Sequence, residues 1–112
     1  MTITLYLSGI GAMHVETCWQ EKPVPRSANV VLWPPIHISR EMDEDSLSLL
    51  RASCNAEVFQ KAVIVFKDQR AWGWTLKMAS ITTYQSRSAD PELLPAFEYF
   101  TMDYVQLVTD YY

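Results

Sequence analysis

The sequence predicts a mostly β fold with a single short helix, and three observations carry that reading. Val, Ile, Tyr, Phe, Trp and Thr recur in runs divided by Pro, Gly, Asn and Asp clusters, the composition of strands and turns. Several runs alternate apolar and polar residues with the two-residue period of a half-buried strand. One stretch alone, ending at Asn55, has helical spacing. At 112 residues the chain has the length of one domain and of one hydrophobic core, so residues 1–112 are read as a single domain.

Thr2 to Leu7 sets Ile3, Leu5 and Leu7 against Thr2, Thr4 and Tyr6, and Gly9 and Gly11 permit a turn after it. His14 to Gln20 is a second extended stretch. The segment from Glu21 to Ser27 reads as a loop, since Pro23 and Pro25 each lack the amide that a ladder needs. Asn29 to Trp33 resumes as strand, Pro34 and Pro35 break it, and Ile36 to Arg40 is short and extended.

Met42 to Asn55 is the helix. Asp43 is placed to cap it, Glu44 and Asp45 sit at its positive end and Arg51 toward its negative end. Leu47, Leu50 and Cys54 share one face with Leu49 beside them, so that face is expected in the core, with Glu44, Ser48 and Arg51 outside. The helix then lies on a sheet or plugs the end of a barrel. Asn55 is a good left-handed terminator.

Val58 to Lys67 is a strand whose dense centre, Ala62 to Phe66, implies burial on both sides or contact with another subunit. After a turn at Asp68, Gln69 and Arg70, the residues Trp72, Trp74, Leu76 and Met78 alternate with small or polar ones along a strand running to about Tyr84. The connection is too short for a parallel crossover, so the two strands form an antiparallel hairpin with Ile64 and Leu76 pointing into the core. Ser86 to Pro95 reads as a surface loop and Ala96 to Thr109 as the last strand. Phe100 and Met102 keep one parity while Val105 and Leu107 keep the other, so a bulge near Asp103 or Tyr104 is expected, or two halves with different neighbours.

From Ile36 onward this order of elements resembles the Hcp family, the inner-tube proteins of type VI secretion systems, and more distantly the phage tail-tube proteins. The resemblance rests on Ile38 to Asp43, on the helix Ser46 to Cys54, on Phe59 to Phe66, on Thr75 to Tyr84, and on the parity change in the last strand. It covers residues 36–109, roughly two thirds of the chain. It implies a small β-barrel of two packed antiparallel sheets with the helix on its side, assembled as a homo-hexameric ring. Other secretion-apparatus components and small effector proteins are the further partners it implies. The N-terminal third carries generic strand patterning where the family has a longer glycine-rich region and an extended loop.

The polar residues make no credible active site. His14 and His37 have no Cys or His at ligand spacing, and Cys18 and Cys54 are too far apart for a metal knuckle, so no metal, cofactor or catalytic residue is assigned. Cys18 with His14 is the sole conceivable nucleophile and base; in a strand the two merely share a side. Glu41, Asp43, Glu44 and Asp45 are explained by capping and solvation. Nine basic against thirteen acidic side chains give a formal charge of -4, and no face gathers enough Lys or Arg to hold several phosphates, which argues against nucleic acid. Trp72, Trp74, Tyr84, Phe97, Tyr99 and Tyr104 are therefore read as packing or subunit-contact residues rather than base-stacking ones. No apolar stretch is long enough to span a bilayer, and the N-terminus has no basic flank of a secretory signal. The reading is a cytoplasmic, non-enzymatic assembly subunit, exported if at all through the apparatus. The alternative is a monomeric or small-oligomeric binding domain of similar fold: an adaptor, cap, inhibitor or immunity-type protein.

Overall fold

The computed structural model describes residues 1–22, 24–27, 30–87 and 96–112, with the strands at 24–27 and 30–32 described by their backbone alone. In chain order the elements are β1 (Thr2–Leu7), β2 (Gly11–Val15), β3 (Thr17–Gln20), β4 (Val24–Ser27), β5 (Val30–Leu32), β6 (Ile36–Glu41), α1 (Ser46–Cys54), β7 (Val58–Lys67), β8 (Ala71–Arg87), β9 (Phe97–Asp103) and β10 (Gln106–Tyr111). Eight strands form one antiparallel sheet in the order β2-β1-β7-β8-β9-β6-β3, with β10 also on β8. Leu5, Ile36, Ile64, Leu76 and Met102 project from five of them into one core and are fully buried.

The two edges of this sheet, β2 and β3, are separated in the chain by Glu16 alone, so the sheet rolls until its edges meet at that residue. Across the seam the Glu16 N–H donates to the Ser39 carbonyl at 2.9 Å, and Arg40 Nε donates to the His14 carbonyl at 3.3 Å. The ladder stops there. The molecule is thus one rolled sheet, not a closed barrel of two packed sheets, because the bend at Glu16 breaks the pairing that closure requires.

Strand β8 is the spine. It pairs β7 on one side over the register Lys67↔Ala71 to Val58↔Ser80, which makes the antiparallel hairpin that the short connection dictates. On its other side it pairs β10 from Trp72 to Lys77 and β9 from Ser80 to Arg87. Between those partners Met78 has φ 53°, a left-handed conformation rare for a side chain of its size. That kink moves the buried parity from Leu76 to Ala79 and Ile81 and leaves Met78 exposed, against the simple alternation of the sequence. Opposite it, the chain breaks at Tyr104 and Val105 between β9 and β10, where the sequence demands a parity change. Leu107 packs on the core after the break, but Val105 lies within it and is 80 % exposed.

The helix turns a different face inward from the expected one. Ser46, Leu49 and Ala52 are buried, while Leu47 is 54 % exposed, Leu50 is 40 % exposed and Cys54 faces solvent. Two apolar stripes about 100° apart were open to this sequence. Ser46 decides between them, because its hydroxyl is bonded to a buried carboxylate of β9. Glu44, Ser48 and Arg51 are exposed. The helix starts later than Met42: Asp43 instead ties the preceding turn, accepting the Asp45 N–H at 2.8 Å through Oδ1. At the other end Asn55 keeps φ −91°, and Ala56 takes the left-handed position with φ 50°.

Residues 24–27, expected as loop, pair with 30–32, expected as strand, in a separate two-stranded ribbon. Pro25 is accommodated at an irregularity between Pro25 and Ser27. Of the stretch expected as a loop from Ser86 to Pro95, Ser86 and Arg87 belong instead to β8, and residues 88–95 lie outside the described residues.

Candidate functional site

Three constellations stand out from the packing. The first is a buried polar clasp. Arg40 on β6 and Glu98 on β9 are register partners, and Arg40 Nη1 donates to Glu98 Oε2 at 2.8 Å with both side chains out of solvent. Arg40 Nη2 reaches Asp43 Oδ2 at 2.6 Å, Ser46 Oγ donates to Glu98 Oε2, and Tyr84 OH donates to Glu98 Oε1 at 2.8 Å. Among the described residues no buried side-chain nitrogen or oxygen lacks a hydrogen-bond partner, which is the condition for a buried ion pair to be tolerated. Burial, the hydrogen bond to Glu98 and the charge of that carboxylate all push the Tyr84 phenol above its ordinary range. For Asp43, burial opposes ionisation, but the hydrogen bonds from Arg40 and the Asp45 N–H and the Arg40 charge outweigh it and hold the carboxyl below its usual value. The clasp joins α1 to β6, β8 and β9, and its chemistry is that of a fixed fastening.

The second is an aromatic cluster at the β7–β8 hairpin. Phe66 and Trp72 stack with centroids 4.3 Å apart and planes 13° apart, and Trp74 meets both edge-on. These rings line a cleft of about 470 Å³ with Ile3, Glu16 and Cys18. Burial pushes the Cys18 thiol up to about 12, which disfavours the thiolate. The bend at Glu16 reverses the parity of the chain, so His14 is exposed while Cys18 packs against the core, and the two do not share a side.

The third lies on the outer face of the sheet. The registers of β3, β6, β9 and β8 align Trp19, His37, Thr101 and Thr83 in one row. Thr17, Ser39, Tyr99 and Gln85 form the next row. Trp19 stacks on His37 at 3.9 Å with planes 5° apart, and Thr17 and Ser39 share a hydroxyl hydrogen bond. The rows line a groove of about 530 Å³.

The aromatic residues singled out from sequence are scattered among these places. Trp72 and Trp74 belong to the aromatic cluster, Tyr84 to the clasp and Tyr99 to the outer face. Phe97 is half-buried at the start of β9, opposite Glu41 and Arg87. Tyr104 sits at the break before β10, donating to the Pro34 carbonyl at 3.1 Å and accepting from Gln20 Nε2. Sequence reasoning missed Arg40, Glu98 and Trp19. The one available signal was that Glu98 holds the parity of Phe100 and Met102, the buried one. Among the described residues no three His, Cys, Asp or Glu side chains gather as a metal site.

No family model and no curated protein sequence matches the chain. Solved structures do. A type six secretion system protein superposes with a TM-score of 0.84 over 98 % of this chain and 83 % of its own, at 13 % identity. Hcp2 from Salmonella typhimurium gives 0.75 over 100 % of this chain and 94 % of its own, at 14 % identity. The tube-terminating cap of the anti-feeding prophage gives 0.69 over 98 % and 88 %, at 12 % identity. The chain has the Hcp fold, and the likeness takes in the N-terminal third as well as residues 36–109.

Proposed function

We propose that this chain is a structural subunit of a type VI secretion or related contractile-injection apparatus, assembling as a six-membered ring that serves as a segment of its tube. The observation that carries the reading is the fold likeness, which extends over essentially the whole chain rather than over a shared motif. Two surface features support self-association. The outer edge of β10 has no partner strand among the described residues, and an unpaired edge is a template for another chain. Leu47, Leu50, Val105 and Tyr111 are exposed apolar side chains. A contact between two different patches of the same chain closes without free ends only in a ring.

In this role the protein does no chemistry of its own. Its lumen would admit small effector proteins, and its export would be through the apparatus; no described helix is long and apolar enough to cross a membrane. A cap or adaptor of the same fold is the second reading, favoured by the likeness to the prophage cap. Native mass at several protein concentrations, followed by negative-stain imaging, tests both. Rings of six that stack support the tube segment, and rings that never stack support the cap. A stable monomer throughout would overturn the ring.

A further inference from the structure

We propose that the outer face of β3, β6, β9 and β8 is a platform for a neutral oligosaccharide. The face gathers eight side chains from two adjacent rows of four paired strands. Its chemistry is unusual for a protein surface. None of the residues lining the groove is Asp, Glu, Lys or Arg, although charged side chains make up 20 % of the chain. An ionic ligand would find no carboxylate, ammonium or guanidinium group here.

What the face does offer is hydroxyls, an amide and open rings. Thr83 carries an exposed hydroxyl that both donates and accepts, as sugar hydroxyls do, and Gln85 adds two donors and an acceptor. The Thr17 hydroxyl is shared with the buried Ser39 and that of Thr101 with Thr82, so each of these keeps only its remaining capacity for a ligand. Tyr99 is 46 % and Trp19 50 % exposed, large rings left open to solvent beside these hydroxyls. A pyranose needs that combination: an aromatic face for its C–H side and dual-function groups for its rim. The groove, about 530 Å³, lies within the usual range for small-ligand sites.

Peptide occupants fit less well. Strand addition needs a free backbone edge, and the middle of this face has none, since β6 and β9 are each paired on both sides and only the four-residue β3 at its rim is an edge strand. An amphipathic helix needs a line of apolar pockets, which a Thr- and Ser-rich face lacks.

The test is a TROSY titration of the full chain with cellotriose and with the trimer of N-acetylglucosamine, with native mass measured on the same samples. Saturable shifts are expected at the Trp19 indole and the amides of His37, Thr83, Tyr99 and Thr101, with a dissociation constant of about 1 mM. Tyr99→Ala and Trp19→Ala should each weaken binding about tenfold, one stacking contact's worth, while Tyr6→Ala on β1 leaves it unchanged. No shift with either sugar, shifts spread away from this face, or full affinity in Tyr99→Ala would overturn the platform. So would shifts of the same resonances with protein concentration alone, which would mark a self-contact. A ring that binds no sugar sinks this proposal and spares the assembly; a monomer that binds does the reverse.

Discussion

Arg40 and Glu98 face each other across the β6–β9 ladder, fifty-eight residues apart in the chain and 2.8 Å apart in space, with neither side chain reaching solvent. Removing either partner leaves the other charge buried and alone. Glu98→Ala is expected to cost roughly 3–5 kcal/mol, and a double Arg40→Met, Glu98→Leu variant markedly less, because the orphaned charge is the main penalty. Urea unfolding of the single and double variants measures this; equal losses would mean the clasp is not acting as a pair.

The helix register gives a paired test. Leu49→Ala should cost about 2–5 kcal/mol as a buried truncation, whereas Leu47→Ala, on the exposed stripe, should stay within about 0.5 kcal/mol. Thermal or urea unfolding that ranked Leu47 above Leu49 would put the other stripe in the core.

Gly73 is buried in β8 opposite Val65, and a Cβ there would lie 2.3 Å from the Ile64 carbonyl oxygen. Backbone cannot step aside as a flexible side chain would. Gly73→Ala is expected to destabilise by about 1–3 kcal/mol through overpacking, with the hairpin amides losing hydrogen-exchange protection first.

Asp43 sets part of the acid limb of stability. Its carboxyl is held below its ordinary 3.8, so the unfolded chain binds the proton more readily. The contribution is whole above that ordinary value and disappears as pH falls through the lower, folded one. Urea midpoints followed from neutral pH into acid should therefore fall less steeply for Asp43→Asn than for the parent.

The two free thiols should separate cleanly. Cys54 is exposed, whereas Cys18 is packed against the core with its thiol pushed up to about 12. A thiol reagent at neutral pH should label one site in the folded protein and two in denaturant. Rapid double labelling of the native chain would show that the Glu16 bend opens.

Local pattern was enough for the strands and for their most direct pairing. The alternation of Ile3, Leu5 and Leu7 specifies β1, the short link at Asp68 to Arg70 specifies the β7–β8 hairpin, and the clash of parities between Met102 and Leu107 specifies a break between them. These are relations among neighbours, and the periods of strand and helix express them directly. The order of elements also sufficed to suggest the Hcp fold. Tertiary structure alone decided which of two stripes α1 buries, since Leu49 and Leu50 are equally apolar and the bond from Ser46 to Glu98 lies on the Leu49 side. It alone brought Arg40 to Glu98 and laid Trp19, His37 and Tyr99 on one face. Those juxtapositions depend on register between strands far apart in the chain, and register is fixed by the packing of the whole sheet, which no single segment encodes.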